Sequence, residues 1–257
     1  MRSGPSTHPK HLLRRWLSAL LDTVFPPTCV GCGRVGSLFC AHCAQAVLPT
    51  PPPLCPRCGR PQKNEASLCR LCRQDPQPPL RLVRAAALHA SPLRAAIHAL
   101  KYENHPELAE SLARYLIAAA MQEPFTSLIE QIHVVIPVPL HDERLATRGY
   151  NQSALLARNF AAHWGLPVEE TWLRRIRATQ SQVGLNATER RQNVSGAFQA
   201  QEAAAGKHIL LVDDVFTTGS TLNACAAALR QAGAADIVAL ALATPPPPQD
   251  DALPPDA

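Results

Sequence analysis

His208-Ile209-Leu210-Leu211-Val212-Asp213-Asp214-Val215-Phe216-Thr217-Thr218-Gly219-Ser220-Thr221 is the stretch that decides the fold class. Ile209 to Val212 are apolar and largely branched, the pattern of a central parallel strand buried on both faces. Asp213 and Asp214 then fall where the strand is expected to leave the sheet, and ligands of open α/β sheets bind outside the carboxyl ends of strands. Two adjacent carboxylates can accept hydrogen bonds from a vicinal diol. Thr217, Thr218, Ser220 and Thr221 supply short hydroxyls, and Gly219 allows a close turn. Leu222 to Arg230 reads as a helix with Gly233 just past its end, and the start of a helix presents N–H groups to an anion. Capping explains one residue of this kind. It does not explain two acids, four hydroxyl residues and a glycine within nine positions. The run therefore predicts a sugar-phosphate site.

The rest of the chain after residue 80 agrees with an α/β domain. Strands are predicted over 82–88, 133–136, 209–212 and 237–242, and helices over 92–100, 107–121 and 153–164. Three further patches suit a ligand rich in phosphates. Lys101 and Tyr102 end an amphipathic helix. Val138 and Pro139 stiffen a turn after the second strand, with Arg144 and Arg148 close behind, and arginine forks onto phosphate with two hydrogen bonds. Thr179 to Phe198 is polar with little periodicity, and is expected to be a mobile lid.

Cysteine organises the first third of the 257 residues. Eight of nine cysteines form four C-x-x-C pairs, Cys29/Cys32, Cys40/Cys43, Cys55/Cys58 and Cys69/Cys72. Two such knuckles can complete one tetrahedral zinc site, so two structural zinc ions are expected, most simply paired in sequence order. A disulfide framework is the alternative and needs an oxidising compartment. Cys225 stands apart as a small apolar helix residue.

Hydrophobic content of 46% permits a real core, and a formal charge of +5 permits contact with nucleic acid without arguing for it. The expected organisation is a basic amphipathic helix over 1–28, a double zinc ribbon over 29–75, an α/β domain over 80–244 and a disordered proline-rich tail over 245–257. The first helix is expected to pack on its own protein, with membrane-surface binding or an organellar presequence as alternatives. No stretch reaches transmembrane length, and a cytoplasmic location is expected.

The Asp-Asp run resembles the signature of the type I phosphoribosyltransferases. The four cysteine pairs, Leu100-Lys101-Tyr102, Val138-Pro139-Leu140, Arg148-Gly149-Tyr150-Asn151-Gln152 and the Asp-Asp run together resemble the ComF family, in which a zinc-ribbon module precedes a phosphoribosyltransferase-like domain. That resemblance implies binding of 5-phosphoribosyl-1-pyrophosphate (PRPP) with Mg2+, and a link to DNA uptake during natural competence. It implies that Asp213 and Asp214 hold the ribose, and that Thr217, Thr218, Gly219, Ser220 and Thr221, with Val215, hold the 5′-phosphate. Lys101, Tyr102, Val138, Pro139, Arg144 and Arg148 would face the pyrophosphate. Asp213, Asp214, Lys101 and Arg148 are the expected catalytic residues of a glycosyltransferase with an unknown nitrogen acceptor. No hood segment for a base is evident.

The alternative is a non-catalytic PRPP or nucleotide sensor whose ribbons bind single-stranded DNA or a DNA-processing protein through Arg34, Arg57, Arg60, Arg70 and Arg73. A homodimer, with the ribbons as a contact, is a further expectation.

Overall fold

The computed structural model describes residues 26–62, 68–75, 77–178 and 187–247. The predicted N-terminal helix and most of the proline-rich tail lie outside the described residues. The first cysteine region carries a short helix α1 (Ala41–Gln45) and the second carries α2 (Arg70–Gln74). Then follow β1 (Leu82–Leu88), α3 (Leu93–Tyr102), α4 (Leu108–Ala120), α5 (Phe125–Ile129) and β2 (Val134–Pro137). After these come α6 (Asp142–Arg148), α7 (Gln152–Trp164), β3 (Leu173–Arg175), α8 (Ala187–Val194) and β4 (Phe198–Ala200). The chain closes with β5 (His208–Val215), α9 (Ser220–Gln231) and β6 (Asp236–Thr244).

Four strands make one parallel sheet in the order β1-β6-β5-β2. Parallel strands need crossovers, and the helices that supply them cover both faces. Alternate residues of β5 divide the core: Leu210 and Val212 join the side chains of α3, α4, α5 and α7, whereas Ile209 and Leu211 join those of α9 and of the β3–β4 hairpin. This is the α/β class that the alternation of strands and helices predicts.

Both sheet edges are covered. Along β1, Leu88 N donates to Leu48 O at 2.8 Å, Thr50 Oγ1 to Ala85 O at 2.9 Å and Val83 N to Arg57 O at 2.9 Å. Along β2, Val135 N donates to Pro167 O and Glu169 N to Val135 O, each at 2.9 Å. Covered edges cannot template pairing with another chain.

Two readings of the sequence change. The strand bearing the acids runs on to Val215, so Asp213 and Asp214 lie inside β5 rather than beyond it. They stay paired with β6, where Asp213 faces Ala241, while β2 ends at Pro137, opposite Val212. The unequal lengths of its two neighbours, invisible in the run itself, open the acids to one side. The segment expected to be a lid also holds regular structure: α8 occupies 187–194 and Phe198 starts β4, which pairs with β3. Its start, 179–186, lies outside the described residues. α6 has no apolar face to bury, and no residue of it is buried, so periodicity could not reveal it.

Candidate functional site: a buried acid pair at the end of β5

Asp213 and Asp214 are 8% and 4% exposed. Ser153 Oγ at the start of α7 donates to Asp213 Oδ1 at 3.1 Å, and the Asp214 amide donates to the same oxygen at 2.9 Å. Lys101 Nζ at the end of α3 lies 2.8 Å from Asp214 Oδ2. Burial pushes the Asp213 carboxyl up, the Asp214 charge adds to this, and Lys101 and the two hydrogen bonds only partly offset it, leaving it at about 7. For Lys101 burial acts downward, but the Asp214 charge and hydrogen bond outweigh it and raise the ammonium above its usual value.

The segment from Arg148 to Ser153 builds the frame around these groups. Arg148 donates to Gln152 Oε1. Tyr150 Oη donates to Leu100 O at 2.6 Å, fixing the last turn of α3 one residue before Lys101. Asn151 donates through Nδ2 to Val138 O at 3.0 Å, and its Oδ1 caps α7 by accepting from Ser153 N at 3.0 Å. One short motif thus sets the lysine, the Val138–Pro139 turn and the serine that holds Asp213.

Beyond β5 the chain turns at Gly219, whose φ is +84°, and a Cβ there would stand 2.8 Å from the Phe216 ring. Both facts favour glycine. Thr218 Oγ1 and Ser220 Oγ are 2.7 Å apart, and Ser220 N donates to Thr218 Oγ1 at 3.3 Å. Thr244 Oγ1 donates to Phe216 O at 3.0 Å, tying the turn to the end of β6.

A cleft of about 320 Å³ gathers Lys101, Tyr102, Val138, Pro139, Arg144, Asp213, Asp214, Val215, Thr217 and Thr221. Arg148 does not line it. It stacks at 5.2 Å over Tyr102 and faces an adjoining cavity of about 460 Å³ shared with Lys101 and Arg144. Thr218 and Ser220 face the other way, into a cavity of about 350 Å³ beside the second cysteine cluster. Sequence reasoning gave no role in the cleft to His89 and Arg175, which line it, or to Ser153, and Leu140, which also lines it, was read only as part of the Val138-Pro139-Leu140 motif. Gln152 lines it too, but was read only as part of a motif. Ser153 had a signal, standing next to that motif. Arg175 had none, because it reaches the cleft from the antiparallel hairpin.

The cysteines gather as Cys29/Cys32/Cys40/Cys43 and Cys55/Cys58/Cys69/Cys72, with the ligand atoms in each set within 4.8 Å of one another. This is pairing in sequence order. Cys32 Sγ and Cys40 Sγ are 3.6 Å apart, as are Cys58 Sγ and Cys69 Sγ. Thiolates around tetrahedral zinc stand about 3.8 Å apart, whereas a disulfide needs about 2.05 Å. All eight are free thiols, and the two sets fit two zinc ribbons. Burial raises Cys29, but backbone N–H groups of Cys40, Gly31 and Cys32 outweigh it and bring the thiol to about 6. The first ribbon begins by Pro27, whose carbonyl accepts from Gly36 N, and Thr28 bridges Val35.

Residues 20–73 match the double zinc ribbon domain, and residues 146–252 match the phosphoribosyl transferase domain. Over 164 residues the chain is 37% identical to the DNA utilization protein YhgH of Escherichia coli O157:H7, spanning 64% of this chain and 72% of the relative. The chain belongs to the ComF family. Competence protein F of Haemophilus influenzae is 35% identical to it over 158 residues, or 60% of this chain and 69% of that one. Competence protein ComFC of Bacillus subtilis is 30% identical over 145 residues, covering 52% and 58%.

In this ComF protein, three of the five ribbon arginines are engaged within the fold. Arg57 donates to Cys72 O and Asp75 O, Arg60 to Thr217 O and Arg73 to Leu68 O. Arg34 and Arg70 are exposed. No described helix is long and apolar enough to cross a membrane.

Proposed function

We propose that this ComF protein binds PRPP with Mg2+ in the acid cleft and transfers its phosphoribosyl group to a nitrogen acceptor, in a process that handles DNA. The observation that carries the proposal is the meeting, in one cleft, of a buried acid pair, a lysine, and Thr217 and Thr221 from the two ends of the glycine turn. Asp213 and Asp214 would accept from the ribose 2′ and 3′ hydroxyls. The turn from Thr217 to Thr221 would bind the 5′-phosphate, where the helix start favours an anion. Lys101 and Arg144 stand on the side left for the pyrophosphate.

Bond formation from the acceptor nitrogen to C1 would accompany cleavage of the bond from C1 to the pyrophosphate oxygen. The bonding pair would leave on pyrophosphate, and the nitrogen would lose its proton to solvent. Carboxylates beside the ribose favour its developing positive charge, and Lys101 favours the leaving diphosphate. Mg2+ would supply further neutralisation of that diphosphate. Both acids suit a hard cation as oxygen donors. Their oxygens already meet Ser153, the Asp214 amide and Lys101, so the ligand's own oxygens would be its chief donors. The DNA context comes from the names of the relatives.

Calorimetry with PRPP and Mg2+ on zinc-loaded protein, beside Asp213→Asn/Asp214→Asn, tests the site. Binding that weakens at least about 100-fold in the double variant is expected from losing two charge-assisted contacts. A folded wild type that does not bind PRPP overturns the reading. Pyrophosphate release on adding candidate nitrogen acceptors then tests the transfer.

A further inference from the structure

The second ribbon makes a side-chain hydrogen bond to the turn assigned above to the 5′-phosphate. Arg60 follows Gly59 at the end of the third C-x-x-C knuckle. Its Nη2 donates to Thr217 O at 2.6 Å, and its Nη1 donates to Cys58 Sγ at 3.5 Å. Its guanidinium carbon lies 4.5 Å over the Phe216 ring. That ring is the one a Cβ at Gly219 would strike. One planar cation therefore touches a zinc-ligand sulfur, the first residue of the turn and the ring on which the turn is folded.

The knuckle behind Arg60 is held rigidly to the sheet. Val83 N donates to Arg57 O at 2.9 Å, and Arg84 Nη2 donates to Pro56 O at 3.0 Å. Gly59 has φ of +66°, and a Cβ there would stand 2.8 Å from Val83 O, so the knuckle cannot retreat from β1 or take a bulkier residue. Arg57 in turn ties the knuckle to the fourth cysteine pair through Cys72 O at 2.8 Å. The position of Arg60 is thus fixed by the folded second ribbon, and a ribbon this small folds on its metal.

Among the described residues, no side chain of the first ribbon hydrogen-bonds to the Phe216–Thr221 turn. That ribbon's contacts run to the opposite face of the sheet, through Tyr115 Oη to Ala44 O at 2.8 Å. The two metal sites are therefore unequal toward the cleft.

We infer that Arg60 is a positioning residue that couples metal loading of the second ribbon to the geometry of the Phe216–Thr221 turn. The second cysteine cluster then sets the affinity of the cleft for a phosphorylated ligand, while the first does not. Chelation or thiol oxidation at the second cluster would loosen the turn without any change at the acids. A guanidinium is needed because it must fork between a sulfur and a carbonyl while stacking on a ring, which an ammonium cannot do. That the phosphorylated ligand is PRPP rests on the function proposed above; the coupling itself does not.

The test uses the full zinc-loaded chain as wild type, Arg60→Met, Arg60→Lys and the control Arg34→Met in the first ribbon. Zinc content establishes that each variant holds two ions. Hydrogen exchange of the amides from Phe216 to Thr221, without ligand, reads the turn directly. Calorimetry with PRPP and Mg2+ reads the cleft. Arg60→Met is expected to keep both ions, to exchange faster across the turn and to bind PRPP about tenfold more weakly, the scale of one charge-assisted hydrogen bond. Arg60→Lys should fall between, and Arg34→Met should match wild type.

A second arm compares Cys69→Ser with Cys32→Ser, each losing one ion. Faster exchange in the turn is expected from the first substitution and not from the second. Unchanged exchange and unchanged affinity in a two-zinc Arg60→Met protein overturn the coupling, as does equal loosening by the two cysteine variants. If wild type binds no PRPP, the proposed ligand is wrong, and the exchange measurements still decide the coupling.

Discussion

The two cysteine clusters share a spacing and a ligand type, yet they dock on opposite faces of one sheet. Val30, Leu38, Phe39 and Val47 of the first ribbon pack against the core of α3, α4 and α7. In the second ribbon the cysteines themselves join a core: Cys55, Cys58 and Cys72 are buried with Val83, Phe216 and Leu222. The first is a ribbon resting on a helical layer through its apolar flanks. The second is a ribbon whose metal site is part of the packing. The acid cleft lies where these two halves meet, with Lys101 arriving from the first face and the Phe216–Thr221 turn from the second. Metal ligation fixes a knuckle, and what surrounds the knuckle decides what it does.

The largest effect expected from this difference is in stability. Cys55 is fully buried, whereas Cys32 is exposed. Cys55→Ser should cost at least about 4 kcal/mol, because it removes a metal site and opens a core together. Cys32→Ser should cost clearly less. Urea unfolding with zinc content measured alongside decides it, and equal losses would break the comparison.

The contribution of the first face to the cleft is next in size. Lys101→Met leaves Asp214 buried beside Asp213 with its cation gone. A loss of about 3 kcal/mol near pH 8 is expected, as for a buried ion pair deprived of one partner. Urea unfolding measures the loss, and Lys101→Arg, which keeps a cation there, should recover most of it. Equal losses in the two variants would mean that the fit of the lysine stem, not its charge, is what α3 brings to the cleft.

Asp213 gives a subtler pH effect. Its carboxyl stands at about 7, above the ordinary value of 3.8, so below pH 7 it is mostly protonated in the free protein. A raised pKa of this sort favours the folded protein at low pH, and that advantage is lost as pH rises from about 4 through 7. Ligand binding runs the opposite way. Hydroxyl donors bond more strongly to the carboxylate than to the protonated acid, so PRPP binding should release a proton and strengthen about tenfold between pH 6 and pH 8. Calorimetry in two buffers of different ionisation enthalpy counts the proton directly. Asp213→Asn should abolish the release, whereas Arg60→Met should lower affinity and leave the proton count alone, which separates the two faces of the site.

How far all of this was legible in the sequence depends on how local the physics is. The Asp-Asp run, the glycine turn and the helix beginning at Ser220 are set within fourteen residues, and they could be read there. The cysteine sets could be read because zinc ligation has fixed spacing. The parallel order β1-β6-β5-β2 and the opening of the cleft beside the acids depend on β2 ending at Pro137 while β6 continues, which no single segment encodes. Arg60 read as a surface cation suited to DNA. Only the docking of Gly59 against Val83 turns it toward Thr217. Arg175 comes to the cleft from a hairpin of three-residue strands, too short to carry a period.

The smallest effect concerns the anchor of the first ribbon. Tyr115 Oη donates to Ala44 O at 2.8 Å across 71 residues of sequence, and this contact joins α4 to the residue just after Cys43. Burial raises the pKa of the tyrosine above its usual value, with the nearby Cys43 sulfur adding to the effect, so it stays a donor at all ordinary pH. Tyr115→Phe keeps the ring and removes only the hydroxyl, at a cost of about 1 kcal/mol. Zinc should leave the first site faster in a competition with a chelating dye, while exchange across Phe216–Thr221 and affinity for PRPP stay as in wild type. That outcome sharpens the contrast with Arg60, since a comparable hydrogen bond from the other ribbon would then change the cleft and this one would not. Weakened PRPP binding in Tyr115→Phe would mean that α4 passes strain from the first ribbon to Lys101, and that both metal sites act on one center.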